Sequence, residues 1–256
     1  MIYKAYAKVN VFLKIVGKRG DYHEILSRFV KVENLYDELE FKEKQSSEEF
    51  ELKGKFGCSL KSNTIYKAYL STCKVGFEKE LKEFFAYKSL YVKKNIPSFA
   101  GLGGGSSDAA IFLQMINKEV GLGLSNKELA DIGLEVGADV PFFIYDYNSA
   151  NVSGIGEVVT EYEEVPLHVK ITTPDIKCDT GSVYRAFRDN YMVDIELAQK
   201  MAKLSSKELL NSYDDITLND LFGAALKVCP ELEKHRREEW FFSGSGSSFF
   251  KVENNG

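Results

Sequence analysis

The densest chemical signal in the chain is Pro97-Ser98-Phe99-Ala100-Gly101-Leu102-Gly103-Gly104-Gly105-Ser106-Ser107-Asp108, which runs directly into Ala109, Ala110, Ile111, Phe112, Leu113 and Met115. Glycines let the backbone turn its N–H groups around phosphate oxygens, and the amino end of the helix that follows adds roughly half a positive charge. The run therefore predicts an anion cradle, with Ser106 or Ser107 capping the helix. Pro97 before it and the apolar helix after it argue against a flexible linker. The two most familiar nucleotide loops do not fit. No G-x-x-x-x-G-K-[ST] occurs, and Gly101-Leu102-Gly103 is followed by Ser106 where a dinucleotide fingerprint has its third glycine. A G-x-S-x-G elbow is also missing, so Ser106 and Ser245 rank last, as acyl-transfer nucleophiles.

A phosphate cradle becomes a catalyst only beside an acid–base pair, and Lys8 and Asp139 are the candidates. An aspartate can accept the proton of a substrate hydroxyl, while an ammonium favours the developing alkoxide and in-line attack on a γ-phosphoryl group. Each has an ordinary reading as well, Lys8 as a solvated strand lysine and Asp139 as a turn residue. Tyr22-His23, after a glycine turn, is equally two-sided: a neutral imidazole can hydrogen-bond a ligand or simply pack beside tyrosine. Residue types alone reach a nucleotide- or phosphate-binding α+β protein.

The elements that would position these groups follow from the apolar patterning. In Ala5–Leu13, Ala7, Val9 and Val11 share one face of a strand and Lys8 and Asn10 the other. A turn at Gly17–Asp21 leads to apolar stretches through Phe41, and Glu43–Glu51 reads as a solvated hairpin or loop. Asn63 stands at the amino end of a helix beginning at Thr64, and Leu90–Lys93 reads as a strand. Ser125 with Glu128 forms a capping box for a helix running to Gly137. Val140, before Pro141, is pushed towards extended geometry, which predicts a strand from Pro141 to Tyr145. Strands at 150–159 and 167–173 flank an acidic boundary around Glu161–Glu164. Helices at 181–188, 195–203 and 218–228 then lead to a glycine–serine turn between strands in Phe241–Phe250.

Composition sets the class. At 256 residues the chain makes one large domain or two moderate ones, and 44% hydrophobic with 28% charged residues describes an ordinary globular chain. A net charge of −5 lacks the electrostatic footprint of a nucleic-acid binder, so the expected ligand is small. Cys58, Cys73, Cys178 and Cys229 form no C-x-x-C pair and no zinc spacing, as in a reduced protein. No signal-peptide core and no run near the roughly 20 apolar residues of a membrane span occurs, so the expected location is the cytoplasm.

Ala7-Lys8-Val9-Asn10-Val11-Phe12-Leu13, Pro97–Ala110 and Ser243-Gly244-Ser245-Gly246-Ser247, in this order, resemble the three motifs of the GHMP kinases. Asp21-Tyr22-His23-Glu24-Ile25, Ser62-Asn63-Thr64-Ile65, Gly137-Ala138-Asp139-Val140-Pro141 and Asn219-Asp220-Leu221 narrow the resemblance to the kinases of 4-diphosphocytidyl-2-C-methyl-D-erythritol, which phosphorylate its 2-hydroxyl with ATP in the non-mevalonate isoprenoid route. The resemblance runs from about Tyr6 to Phe250, with one departure: the family's Asp-Gly-Tyr-His is here Gly20-Asp21-Tyr22-His23.

This resemblance implies an α+β fold of two domains, 1–162 like ribosomal protein S5 domain 2 and 163–256 ferredoxin-like. It makes Asp139 the base and Lys8 its charged partner, and gives ATP the loop Pro97–Ser107, with Asn63 and Lys94 on the adenosine side. For the substrate it implies Asn10 and His23 at the cytosine edge, Tyr22 and Tyr184 stacking on the base, and Thr180 nearby. Magnesium is expected with ATP, although no ligand set is readable; Asp108 is a possible contributor or a charge suited to the helix dipole. The partners implied are small molecules, with the chain a monomer or weak homodimer. The rival readings are a mevalonate- or homoserine-type kinase of the same superfamily and a non-catalytic nucleotide- or RNA-binding module.

Overall fold

A computed structural model describes residues 1–47, 49–188 and 193–253. Two compact units interleave along the chain: Met1–Ala7, Asn34–Ile96 and Gly104–Asp146 form the first, and Lys8–Glu33, Pro97–Gly103 and Tyr147–Gly256 the second. Two long strands, β1 (Tyr3–Arg19) and β2 (Tyr22–Glu43), contribute to both, joined by a turn in which Gly20 takes a left-handed φ of 61°.

In the first unit the later half of β2 pairs antiparallel with β4 (Lys88–Lys93), and β3 (Leu52–Gly54) runs parallel to β4. The cross-strand partners Glu38↔Lys93 and Glu43↔Lys88 are also ion pairs, which fixes the register by charge as well as by the apolar face. Against this lie α1 (Thr64–Thr72), α2 (Glu78–Phe85), α3 (Gly104–Ile116), α4 (Asn126–Leu134) and α5 (Val140–Tyr145). Phe50 stacks on Tyr69 at 4.4 Å and meets Phe85 edge-on at 4.7 Å, so the 43–51 segment is not wholly solvated: its end is driven into an aromatic core.

The α4 capping box is present, with Ser125 Oγ accepting from Glu128 N at 3.3 Å and Ser125 N donating to Glu128 Oε2 at 2.8 Å. Two expectations are corrected here. Pro141–Tyr145 is the helix α5, not a strand. Pro141 falls in its first turn, where the missing N–H costs no intrahelical bond, and Val140, Pro141, Phe142, Phe143 and Ile144 all bury their side chains. Helix α3 starts at Gly104, so Ser106 and Ser107 occupy its first turn and do not cap it.

In the second unit the early half of β2 pairs antiparallel with β5 (Ser149–Gly154), which turns back into β6 (Val158–Glu161). The single strand expected at 150–159 is thus a hairpin, bent where Gly154 and Gly156 take φ of 71° and 128°. A separate antiparallel sheet has the order β7 (Val169–Thr172), β9 (Phe249–Val252), β8 (Phe241–Phe242). Around it are α6 (Thr180–Arg188), α7 (Ile195–Met201), α8 (Ser206–Ser212), α9 (Asp215–Leu218) and α10 (Phe222–Val228). The helix expected over 218–228 is broken at Asn219, whose Oδ1 accepts from Leu221 N at 2.9 Å and so competes with the helical ladder.

Arg28, fully buried, clamps this unit. Its guanidinium donates to Asn151 Oδ1 (2.8 Å), Ala202 O (3.0 Å) and Leu204 O (3.2 Å), faces Glu164 at 3.5 Å and lies over the Tyr162 ring. A buried cation persists only with its donors occupied in this way.

Candidate active site

The cap residue and the first three residues of any helix have N–H groups without an intrahelical partner, and at α3 these belong to Gly103–Ser106. Thr64 Oγ1 donates to Gly105 O at 2.6 Å, which fastens this turn to the start of α1. Asn63 is the cap of α1, its Oδ1 accepting from Ile65 N at 2.9 Å. The turn that carries Asp139 lies against the same place, since a Cβ added to Gly137 would sit 3.7 Å from Ser106 Oγ. Asp139 is the residue before α5 and its side chain makes no capping bond there. Of the two serines, Ser106 is half-buried and Ser107 is buried, its hydroxyl without a partner.

Lys94 is held between two carboxylates, bonding to Asp37 and, at 2.5 Å, to Asp108 Oδ2. Asp37 is fully buried, and its Oδ1 also accepts from Asn95 N (2.5 Å) and Ile96 N (2.8 Å), just ahead of Pro97. Ile96 in turn packs so closely on Gly104 that a Cβ there would approach its Cγ2 to 2.8 Å. The triad thus fixes both the last residues before the loop and the first turn after it. Sequence reasoning missed Asp37, although its position on the strand face of Leu39 and Phe41 was the available signal.

Burial pushes the Asp108 carboxyl up to about 7, with Asp37 adding to the rise and Lys94 opposing it. Between about pH 4 and 7 the folded protein therefore holds a proton that the unfolded chain releases, and this contribution to stability is lost as pH rises through that window. Asp108→Asn carries no such loss. Its Tm is expected to gain on the parent's between pH 5 and pH 8 in thermal melts; a difference constant with pH would contradict the assignment.

The first half of the loop, Pro97–Gly103, is seated within the second unit. Lys8 N donates to Leu102 O at 3.0 Å, and Ser248 N donates to Ala100 O at 3.2 Å. The glycine–serine turn lies directly on it: a Cβ on Gly246 would come within 2.1 Å of Ala100 C and Gly101 N, and one on Gly101 within 2.4 Å of Ser243 O. Only glycine permits this backbone-on-backbone approach. Asn219 Nδ2 holds the turn from beneath, donating to Gly244 O at 2.9 Å, while Asp220 pairs with Lys14 and accepts from Ile15 N at 2.8 Å. Pro97, Ser98 and Phe99 are exposed, and Phe99 has a φ of 60°, strain of the kind stored at functional loops.

Lys8 is 4% exposed, so the solvated-lysine reading fails. Its ammonium donates to Asn10 Oδ1 at 2.5 Å and sits 4.4 Å from the centre of the Phe29 ring. His23 packs its ring on Tyr184 at 5.4 Å and edge-on to Phe187 at 5.8 Å. Burial, then the charges of Arg188 and Lys18, lower its pKa and keep the imidazole neutral at pH 7. Tyr22 is 66% exposed. Thr180 opens α6 and accepts from Ser245 Oγ at 3.0 Å, which joins the glycine–serine turn to the Tyr184 helix. The structure thus brings His23 together with Tyr184, and Asn10 together with Lys8.

Comparison with known proteins supplies what geometry cannot. Residues 63–147 match the GHMP kinases N terminal domain. A 4-diphosphocytidyl-2-C-methyl-D-erythritol kinase of Sulfurimonas denitrificans is 54% identical over 259 residues, covering 98% of this chain and 96% of the relative. The chain belongs to the 4-diphosphocytidyl-2-C-methyl-D-erythritol kinase family. The family member from Campylobacter jejuni serotype O:6 is 45% identical over 98% of this chain and 99% of its own. A crystal structure of a 4-(cytidine 5'-diphospho)-2C-methyl-D-erythritol kinase aligns with a TM-score of 0.77 at 28% identity, covering 100% of this chain and 91% of that one. The mevalonate kinase of Methanococcus jannaschii aligns at 0.60 with 14% identity, over 99% and 90%, and shares the fold. The expected α+β GHMP kinase fold and the kinase class both stand.

Proposed function

We propose that this chain transfers the γ-phosphoryl group of ATP to the 2-hydroxyl of 4-diphosphocytidyl-2-C-methyl-D-erythritol, a step of the non-mevalonate route to isoprenoid precursors. The full-length identity to relatives of that name carries the reading. The loop supports it, since the first turn of α3, which follows the glycines, lies against the turn of Asp139.

In this reading Asp139 takes the proton of the 2-hydroxyl as its oxygen attacks the γ-phosphorus and the bond to the bridging oxygen of ADP breaks. Lys8 favours the developing alkoxide, and the N–H groups of the glycine run face the phosphates. Asn63 belongs to the adenosine side, whereas Lys94 acts through its ion pairs on the loop's two ends. Magnesium is the divalent ion expected with ATP, where it would neutralise charge on the transferring phosphate. A neutral His23 offers one donor and one acceptor to the cytosine edge, and Tyr22 and Tyr184 supply stacking surface for the ring. Thr180 lies on the same substrate side. The division at 1–162 and 163–256 corresponds to the family's N- and C-terminal domains. The enzyme works in the cytoplasm as a monomer or weak homodimer, on small molecules and not on nucleic acid; no helix among the described residues is long and apolar enough to cross a membrane.

ADP release with ATP and magnesium tests this, run with the cytidine compound, mevalonate and homoserine as acceptors. Turnover is expected with the cytidine compound alone. His23→Ala is expected to raise KM for that acceptor about tenfold or more while leaving KM for ATP within about twofold. Turnover with mevalonate or homoserine instead would overturn the substrate, and equal changes in both KM values would remove His23 from the base.

A further inference from the structure

A lysine, an asparagine and a serine, each buried to 4% exposure or less, lie in one hydrogen-bonded line on β1 and β2, and the order of their bonds fixes a direction. Ser27 Oγ donates its single proton to Phe12 O at 2.5 Å. With that proton committed, the hydroxyl can only accept from a neighbouring amide, so Asn10 must present Nδ2 to it, at 2.9 Å. The other end of the amide is then necessarily Oδ1, and it faces the Lys8 ammonium at 2.5 Å. An ammonium has donors and no acceptor, so a turned amide would set donor against donor.

We infer that Ser27 is a positioning residue for the phosphoryl transfer: it sets the polarity of the Asn10 amide, and through it the place of the Lys8 ammonium. The inference rests on the role of Lys8 proposed above, and it moves Asn10 from the cytosine edge to the reacting end of the substrate.

Two further features hold the line. Asn10 N donates to Ser243 Oγ at 3.2 Å, which ties the residue to the glycine–serine turn. Gly244 leaves the room its amide occupies, since a Cβ there would approach Oδ1 to 3.1 Å. Ordinary packing does not explain the arrangement, because three apolar side chains would fill this part of the strand pair without the cost of burying polar groups.

The test is steady-state kinetics with ATP and the cytidine acceptor for Ser27→Ala, Ser27→Thr and Lys8→Met, with Tm measured for each. Ser27→Ala is expected to lower kcat about tenfold, with both KM values within about twofold, because the misoriented ammonium is felt in the transition state and not in binding. Ser27→Thr keeps the hydroxyl and is expected to recover most of kcat. A lower Tm in Ser27→Ala with kcat unchanged would reduce Ser27 to a structural residue and overturn the inference. An inactive Lys8→Met beside a fully active Ser27→Ala would overturn the inference alone. Full turnover by Lys8→Met would overturn the role of Lys8, and that of Ser27 with it.

Discussion

Asp139→Asn is expected to lower kcat by about 10²- to 10⁴-fold, the range for loss of a positioned general base, while KM for ATP stays within about twofold. The local backbone accommodates this substitution. Asp139 precedes α5 with φ of −81° and ψ of −11°, and asparagine takes those angles readily. Its carboxylate makes no capping bond, so no cap is lost, and α5 is held by the buried side chains of Val140–Ile144. The turn stays against Ser106 through Gly137, which the substitution leaves untouched. The phosphate loop and its hydrogen bonds are therefore expected to survive. The variant should bind nucleotide in calorimetry with parental affinity and melt within a few degrees of the parent, yet release ADP at a small fraction of the parental rate. Turnover within a factor of ten of the parent would mean that the proton leaves by another route. A loss of nucleotide binding equal to the loss of rate would instead make Asp139 part of the ATP cradle.

The parts of this molecule that were legible in its sequence are those whose structure is decided locally. The Ser125–Glu128 box starts α4 as expected, because a cap depends on residues three apart and little else. Glycines at the loop and at Ser243–Ser247 were legible for the same reason: their spacing has few other uses. What failed was decided by burial. Val140, before a proline, pointed to a strand from Pro141, whereas the place of Pro141 in a first turn, with apolar residues around it, makes it a helix starter. The ordinary reading of Lys8, a solvated strand residue, fails because alternation reports one face of a strand, whereas both faces of β1 are covered here. Asp37 and Ser27 carried no motif at all. Each is a polar residue whose partners lie 15 to 59 positions away, and such pairings are a product of topology that no local pattern encodes. The site is accordingly legible in its loops and illegible in the residues that hold the loops still.

The loops themselves yield the second large effect. Gly246→Ala is expected to raise KM for ATP about tenfold or more and to lower Tm by several degrees, although the residue gains one methyl group. That methyl would lie 2.1 Å from both Ala100 C and Gly101 N and 2.6 Å from Ala100 O, all backbone atoms. A flexible side chain could swing away; a backbone can yield only by moving the loop. The segment that must move is Pro97–Gly103, which is also tied to Lys8 N through Leu102 O and to Ser248 N through Ala100 O. Displacement of the cradle therefore reaches the strand of Lys8, and kcat should fall with the rise in KM. Gly223→Ala is the control. It lies in α10 with nothing within 4 Å of the added Cβ, and there alanine should be neutral or stabilise by about 0.5–1 kcal/mol through reduced backbone entropy. If Gly246→Ala matched Gly223→Ala in KM, kcat and Tm, the interlocking of the two glycine turns would have no part in holding the nucleotide. If it fell in Tm while KM for ATP stayed at the parental value, the interlock would serve the fold and not the site.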